Sequence, residues 1–167
     1  MDPILRQLID KINGGDPSGR PSRHVDLECR AAEGKEGVYE LSFSSESPVE
    51  RWWGIEILDH GRSAVRMNRL NSAGSLLFNH NRDRLIGAIE NARIDEKARR
   101  GRADVRFSPS ALGQEKRAEV DAGVLRTTSV SYLIHAMVLE KEEEGVPTYR
   151  VTDWEPLEVS LVTIPAD

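Results

Sequence analysis

The first periodic stretch of the chain has apolar residues at 4, 5, 8, 9 and 12, within Pro3-Ile4-Leu5-Arg6-Gln7-Leu8-Ile9-Asp10-Lys11-Ile12. Spacing of three and four predicts an amphipathic helix over 3–12, with Pro3 in a first turn that needs no N–H from it. Asn13-Gly14-Gly15-Asp16-Pro17-Ser18-Gly19 ends it and predicts a mobile linker through Ser22. Such a helix either packs on its own domain or docks on a partner. From residue 37 the period is two: Tyr39, Leu41 and Phe43 alternate with Glu40 and Ser42, as in a half-buried strand. Further strands are expected near 52–58, 63–67, 75–79, 84–93 and 102–107, the last two forming a hairpin. Ser108-Pro109-Ser110 opens a helix over about 109–120 with a polar N-cap. Val130, Tyr132, Ile134, Ala136 and Val138 make a long alternating strand. An acidic turn at Lys141-Glu142-Glu143-Glu144-Gly145 follows, then strands over 147–153 and 157–163. Many short strands with one or two helices predict a mainly β protein (α+β) built on a barrel flanked by helices.

At 167 residues the chain is long enough for one domain with its own core, and two parts are expected: 1–22, helix and linker, and 23–167, the folded domain. Only 5% of residues are aromatic, so Trp52, Trp53 and Trp154 are expected at core or sheet-edge positions. A net charge of -5 argues against a general nucleic-acid binder. The basic run Lys97-Ala98-Arg99-Arg100-Gly101-Arg102 reads as a solvated hairpin tip, or else a contact for an acidic partner. A single cysteine, Cys29, has no partner for an internal disulfide and no activating base nearby, so it reads as a small core residue in a reducing compartment. There is no signal-peptide layout and no 18-residue apolar run, so the expectation is a protein made in the cytoplasm with no membrane association. No metal-ligand spacing and no glycine-rich phosphate loop occurs, and no cofactor is expected.

Three phrases set a reactive side chain inside an apolar, strand-like run. They are Leu76-Leu77-Phe78-Asn79-His80-Asn81, Thr127-Thr128-Ser129-Val130-Ser131-Tyr132 and Leu157-Glu158-Val159-Ser160-Leu161-Val162-Thr163-Ile164-Pro165-Ala166. A histidine, a serine and a carboxylate are the types needed for a general base, a nucleophile and a group that orients the base. A hydroxyl at a strand mouth, such as Ser129, can face solvent on a fixed backbone. A histidine is mostly neutral at pH 7 and can take such a proton. Glu158 stands in a strand whose other face is apolar, where a carboxylate needs a partner. Holding the histidine is one reason for it and pairing with an arginine another, with Asp153 and Glu155 as rivals. His24, His60 (in an expected Asp59-His60-Gly61 turn) and His135 sit in no comparable phrase.

Together the phrases, from about Trp52 to the last residue, resemble the tailed-phage prohead serine proteases, whose fold is related to that of the herpesvirus assemblins. The resemblance implies a closed or nearly closed barrel and a serine endopeptidase in which Ser129 attacks, His80 shuttles the proton and Glu158 orients His80. The family's nucleophile is commonly followed by an apolar residue, glycine and an aromatic. Here Ser131 stands in the glycine's place, on the same face as Ser129, and the resemblance favours Ser129 as the nucleophile. By resemblance the substrates are the scaffolding segment of the phage major capsid protein and the protease's own chain, cut inside the prohead in the host cytoplasm by a homo-oligomer. The rival is a non-catalytic assembly module that keeps the barrel. Another reading is the protease portion of a capsid-protein fusion. The stop at Ile164-Pro165-Ala166-Asp167, where the resemblance ends, suits a trimmed or self-processed chain.

Overall fold

A computed structural model describes residues 2–14, 21–26, 29–32 and 37–163. Helix α1 (Pro3–Gly14) leads into strands β1 (Ser22–Asp26), β2 (Cys29–Ala31), β3 (Val38–Ser45), β4 (Val49–Arg51) and β5 (Gly54–Leu58). A 3-10 turn (Arg62–Ala64) and helix α2 (Asn68–Ala73) precede β6 (Ser75–Phe78), β7 (Asn81–Asp95) and β8 (Arg100–Phe107). Helix α3 (Ala111–Asp121), β9 (Thr127–Glu143) and β10 (Val146–Val162) complete it.

The strands form one sheet along the path β1-β9-β10-β6-β7-β8-β3-β2, with β5 added to β10 and β4 to β5. β10 is the spine. It pairs antiparallel with β9 over its length, and on its other edge takes β5 in parallel at Thr148–Val151 and β6 in parallel at Val159–Leu161. The hydrogen-bonded path is open, because β1 and β2 do not pair with each other among the described residues. The expected closed or nearly closed barrel is therefore not completed by a backbone ladder. The sheet curls far enough for side chains to bridge the gap: Thr128 Oγ1 donates to Ser42 O at 2.8 Å, and the buried Arg23 guanidinium donates to the carbonyls of Ser45 and Ser47. The core inside the curl holds Leu41, Phe43, Leu58, Leu70, Ile86, Ile134 and Trp154. Gly101 is required by that packing, since a Cβ there would lie 2.6 Å from the Phe43 ring.

α1 packs on its own domain, burying Ile9 and Ile12. Its Asn13 amide donates to Ile134 O and accepts from Ile134 N, standing in for a strand where β1 stops. The expected linker falls mostly on 15–20, outside the described residues, while Ser22 belongs to β1. α3 starts as expected, with Ser110 capping Gly113 N.

Several expectations need correction. Residues 63–67 are not a strand: Asp59 accepts from Gly61 N, Gly61 O accepts from Ala64 N, and the chain turns into the 3-10 segment and α2. α2 shows a single fully buried apolar residue, Leu70, too few to leave a helical period. The two last strands are one, because bulges in the β9–β10 ladder around Asp153 and between Pro156 and Glu158 accommodate the proline. The acidic turn shrinks to Glu144-Gly145, both left-handed, and the strands continue through Lys141-Glu142-Glu143. Trp154 is core, but Trp52 is exposed on the β4–β5 turn, with Lys11 over its ring. The basic run does lie at the β7–β8 tip, where Arg99 folds back onto Glu46 and Arg102 onto Asp95. Cys29 packs partly buried against the core, and burial pushes its thiol up to about 12. Among the described residues no helix is long and apolar enough to cross a membrane.

Candidate active site

β6 and β7 are joined by Asn79-His80, with φ of 52° and 55° and Phe78 paired to Asn81. Two left-handed residues in a two-residue loop mark a type I′ hairpin turn, a conformation that Asn adopts readily and His more often than most residues. The turn is latched to the end of β10. Asn79 N donates to Leu161 O, Asn79 Oδ1 accepts from Thr163 N, and His80 N donates to Ser160 Oγ at 3.1 Å. A strained residue held this firmly is what a site that needs a fixed imidazole requires.

β9 and β10 supply the other side chains. In their ladder Ser129 faces Ser160 and Ser131 faces Glu158, so four polar side chains meet at the tip of the His80 hairpin. Ser129 Oγ lies 2.8 Å from His80 Nε2, and His80 Nδ1 lies 2.5 Å from Glu158 Oε1. This fixes the tautomer: Nδ1–H donates to the carboxylate and Nε2 accepts from the serine. Glu158 also accepts from Ser131 Oγ (2.7 Å, on Oε1) and from Ser160 Oγ (2.8 Å, on Oε2). Burial, the largest influence, pushes its carboxyl up, but the His80, Ser131 and Ser160 hydrogen bonds outweigh it and hold the group below its ordinary value. A base, a hydroxyl on one of its nitrogens and a carboxylate on the other can move a proton off the hydroxyl and stabilise the imidazolium that results.

The structure thus brings together His80, Ser129 and Glu158, and places Ser131 Oγ 2.7 Å from Glu158 Oε1 and 3.3 Å from His80 Nδ1, on the side of His80 away from Ser129. The rival acids are engaged elsewhere. Asp153 is held by Arg66 through two hydrogen bonds, which lower its pKa, and Glu155 pairs with His135. His24 faces Ser129 across the β1–β9 backbone ladder. His60 makes a second serine–histidine pair, with Ser44 Oγ 2.8 Å from its Nε2 and Leu58 O 2.8 Å from its Nδ1. That pair is sealed inside the core, and burial pushes His60 down to about 4. Sequence reading missed Ser44 and Ser160. Period two does place Ser160 on the face of Glu158, and that was the available signal.

One expectation about exposure fails. Ser129 does not face solvent; it is 0% exposed, between β1 and β10. A groove of about 880 Å³ beside it is lined by His80, Ser131 and Glu158 together with Leu77, Leu157, Arg69 and Arg82, and Ser129 is not part of that lining.

Residues 62–167, well over half of the chain, match the caudovirus prohead serine protease family, and the chain belongs to that family. It is 42% identical over 130 residues to a protein named major capsid protein from Halomonas phage phiHAP-1, an alignment covering 76% of this chain and 21% of that protein. The chain therefore spans about a fifth of the length of the curated relative it matches. No solved structure matches it.

Proposed function

We propose that the chain is a serine endopeptidase in which Ser129 is the nucleophile, His80 its general base and Glu158 the group that orients His80. The observation that carries this reading is the unbroken line of hydrogen bonds from Ser129 Oγ through both nitrogens of His80 to Glu158. Membership of the prohead serine protease family supports it independently. The substrates are the scaffolding segment of a phage major capsid protein and the protease's own chain, cut inside the prohead in the host cytoplasm by a self-associated enzyme. The catalytic unit is 23–167, a nearly closed barrel whose last seam is bridged by side chains, with the helix of 1–22 packed on it through Ile9 and Ile12. Co-expression with a capsid precursor tests the reading: cleavage should vanish in Ser129→Ala and persist in Ser131→Ala. Cleavage that survives Ser129→Ala would refute Ser129 as the nucleophile, and absence of cleavage by the unaltered protein would leave the assembly module.

The relative named major capsid protein favours a more specific version, in which such a domain is the protease portion of a longer protease–capsid polypeptide. In that case the domain cuts itself free, and Ser129→Ala in the longer polypeptide leaves the two parts joined.

A further inference from the structure

The groove beside His80 has a chemistry that the proton transfer does not use. Several arginines elsewhere in the fold are neutralised: Arg66 by Asp153, Arg93 by Glu40 and Asp104, Arg99 by Glu46, Arg150 by Glu140. Arg69 and Arg82 are exposed, line the groove, and have no ionic partner among the described residues. The groove's own carboxylate, Glu158, is committed to three hydrogen bonds within the site. The remaining charge of the groove is therefore positive.

Arg82 reaches the groove through an irregularity of the sheet. Leu77 pairs with Leu85, yet Phe78 pairs with Asn81, so residues 82–84 have no partner on β6. The segment bulges out of the ladder, and a bulge of this kind re-aims side chains beside a site. Arg84 in the same bulge turns instead to the Phe78 ring, 5.0 Å away. Arg69 comes from α2, which is anchored to β7 by the Asn71 amide on both backbone groups of Ala92. Leu77 and Leu157 give the same groove apolar lining, beside the hydroxyls of Ser22, Ser75 and Ser131. A short aliphatic stem ending in a carboxylate matches that combination.

We propose that this groove takes the substrate peptide beside the scissile bond and selects an aspartate or glutamate there, with Arg69 and Arg82 as the specificity residues. The inference rests on the protease reading and adds the class of residue read. Charge-assisted hydrogen bonds to a carboxylate are the strong kind, and one such contact corresponds to roughly tenfold discrimination against an uncharged side chain.

The test digests a proteome-derived peptide library with the wild-type protein and the double variant Arg69→Glu/Arg82→Glu, and maps the cut bonds by mass spectrometry. A parallel arm measures retention of the same peptides on immobilised Ser129→Ala protein, with and without the two reversals. A fluorophosphonate probe on wild-type Ser129 reports the nucleophile separately. The expected result is about tenfold enrichment of Asp and Glu over Lys and Arg within three residues of the cut bond, inverted by the double reversal. Cutting that ignores charge, or a preference that survives the reversal, overturns the inference and leaves the protease reading intact. If nothing is cut and Ser129 is not labelled, the protease reading falls. The groove is then judged on retention alone: acidic peptides held about tenfold over basic ones and released by the reversal uphold the site, and equal retention ends it.

Discussion

Two serine–histidine hydrogen bonds of equal length, Ser44–His60 and Ser129–His80, should separate under the same substitution. His60 is neutral and fully buried, its Nδ1–H held by Leu58 O, so Ser44→Ala leaves Nε2 a buried acceptor with no donor. An orphan of that kind costs roughly 1–3 kcal/mol. Ser129→Ala also deletes a hydroxyl, but its partner His80 is partly exposed in the groove, where water can replace the hydrogen bond. Its cost should stay below about 1 kcal/mol, while cleavage disappears. The acid side gives a second measure. His60 titrates at about 4 when folded against an ordinary 6.5, so between those values the unfolded chain binds the proton and the folded one does not. Stability is therefore full above 6.5 and falls as pH drops towards 4, by about 3 kcal/mol from this residue. His60→Gln can still accept from Ser44 and donate to Leu58 O, and should flatten that slope. Urea unfolding followed by tryptophan fluorescence suits the measurement, because Trp154 lies 5.5 Å from the His60 ring. If Ser44→Ala abolishes cleavage at undiminished stability, or His60→Gln leaves the acid slope unchanged, the division of roles between the two pairs is wrong.

Glu158→Gln offers one acceptor oxygen to three donors and lets the imidazole take the wrong tautomer, so kcat should fall by roughly a thousandfold or more with the fold retained. Ser131→Ala removes one of the three hydrogen bonds to Glu158, and about a tenfold loss in kcat/KM is expected from steady-state kinetics. Cys29 should alkylate far more slowly with iodoacetamide at pH 8 than a free cysteine, becoming reactive only on denaturation, because burial holds its thiol near 12. Specific activity measured across a hundredfold dilution should fall on dilution, since a fully buried Ser129 needs an opening that self-association can supply.

Much of the sheet was legible because its strands alternate: Tyr39-Leu41-Phe43 and Val130-Tyr132-Ile134 advertise their faces directly. What stayed hidden was decided by partners remote in sequence. α2 depends on Leu70 in the core and on Asn71 bonded to Ala92, neither of which leaves a period. β1 is held by pairing with β9 and by Arg23 reaching the β3–β4 segment, so no local period announces it and its first residue, Ser22, reads as linker. The expected strands over 147–153 and 157–163 are one because bulges let β10 continue through Pro156. Of the site, the three reactive residues were visible as phrases, but their approach was not. It follows from β10 carrying β9 on one edge and β6 on the other, a topology that no spacing along the chain encodes.

The serine at 131, where the family commonly has glycine, has a physical account in this fold. A glycine there would leave Glu158 Oε1 with one donor, His80, in a site where burial already works against the charge. Ser131 adds a second donor to that oxygen, and Ser160 supplies the other oxygen while also accepting from the His80 amide. Ser160 therefore ties the carboxylate and the histidine backbone to one atom, so that the left-handed turn, His80 and Glu158 are held together. That coupling makes Ser160 a positioning residue. Ser160→Ala should lower kcat with little change in KM, and Ser160→Thr should restore it if the extra methyl fits the buried site. A Ser160→Ala protein with unaltered kcat would mean that the hairpin latch through Asn79 is sufficient to hold His80 by itself.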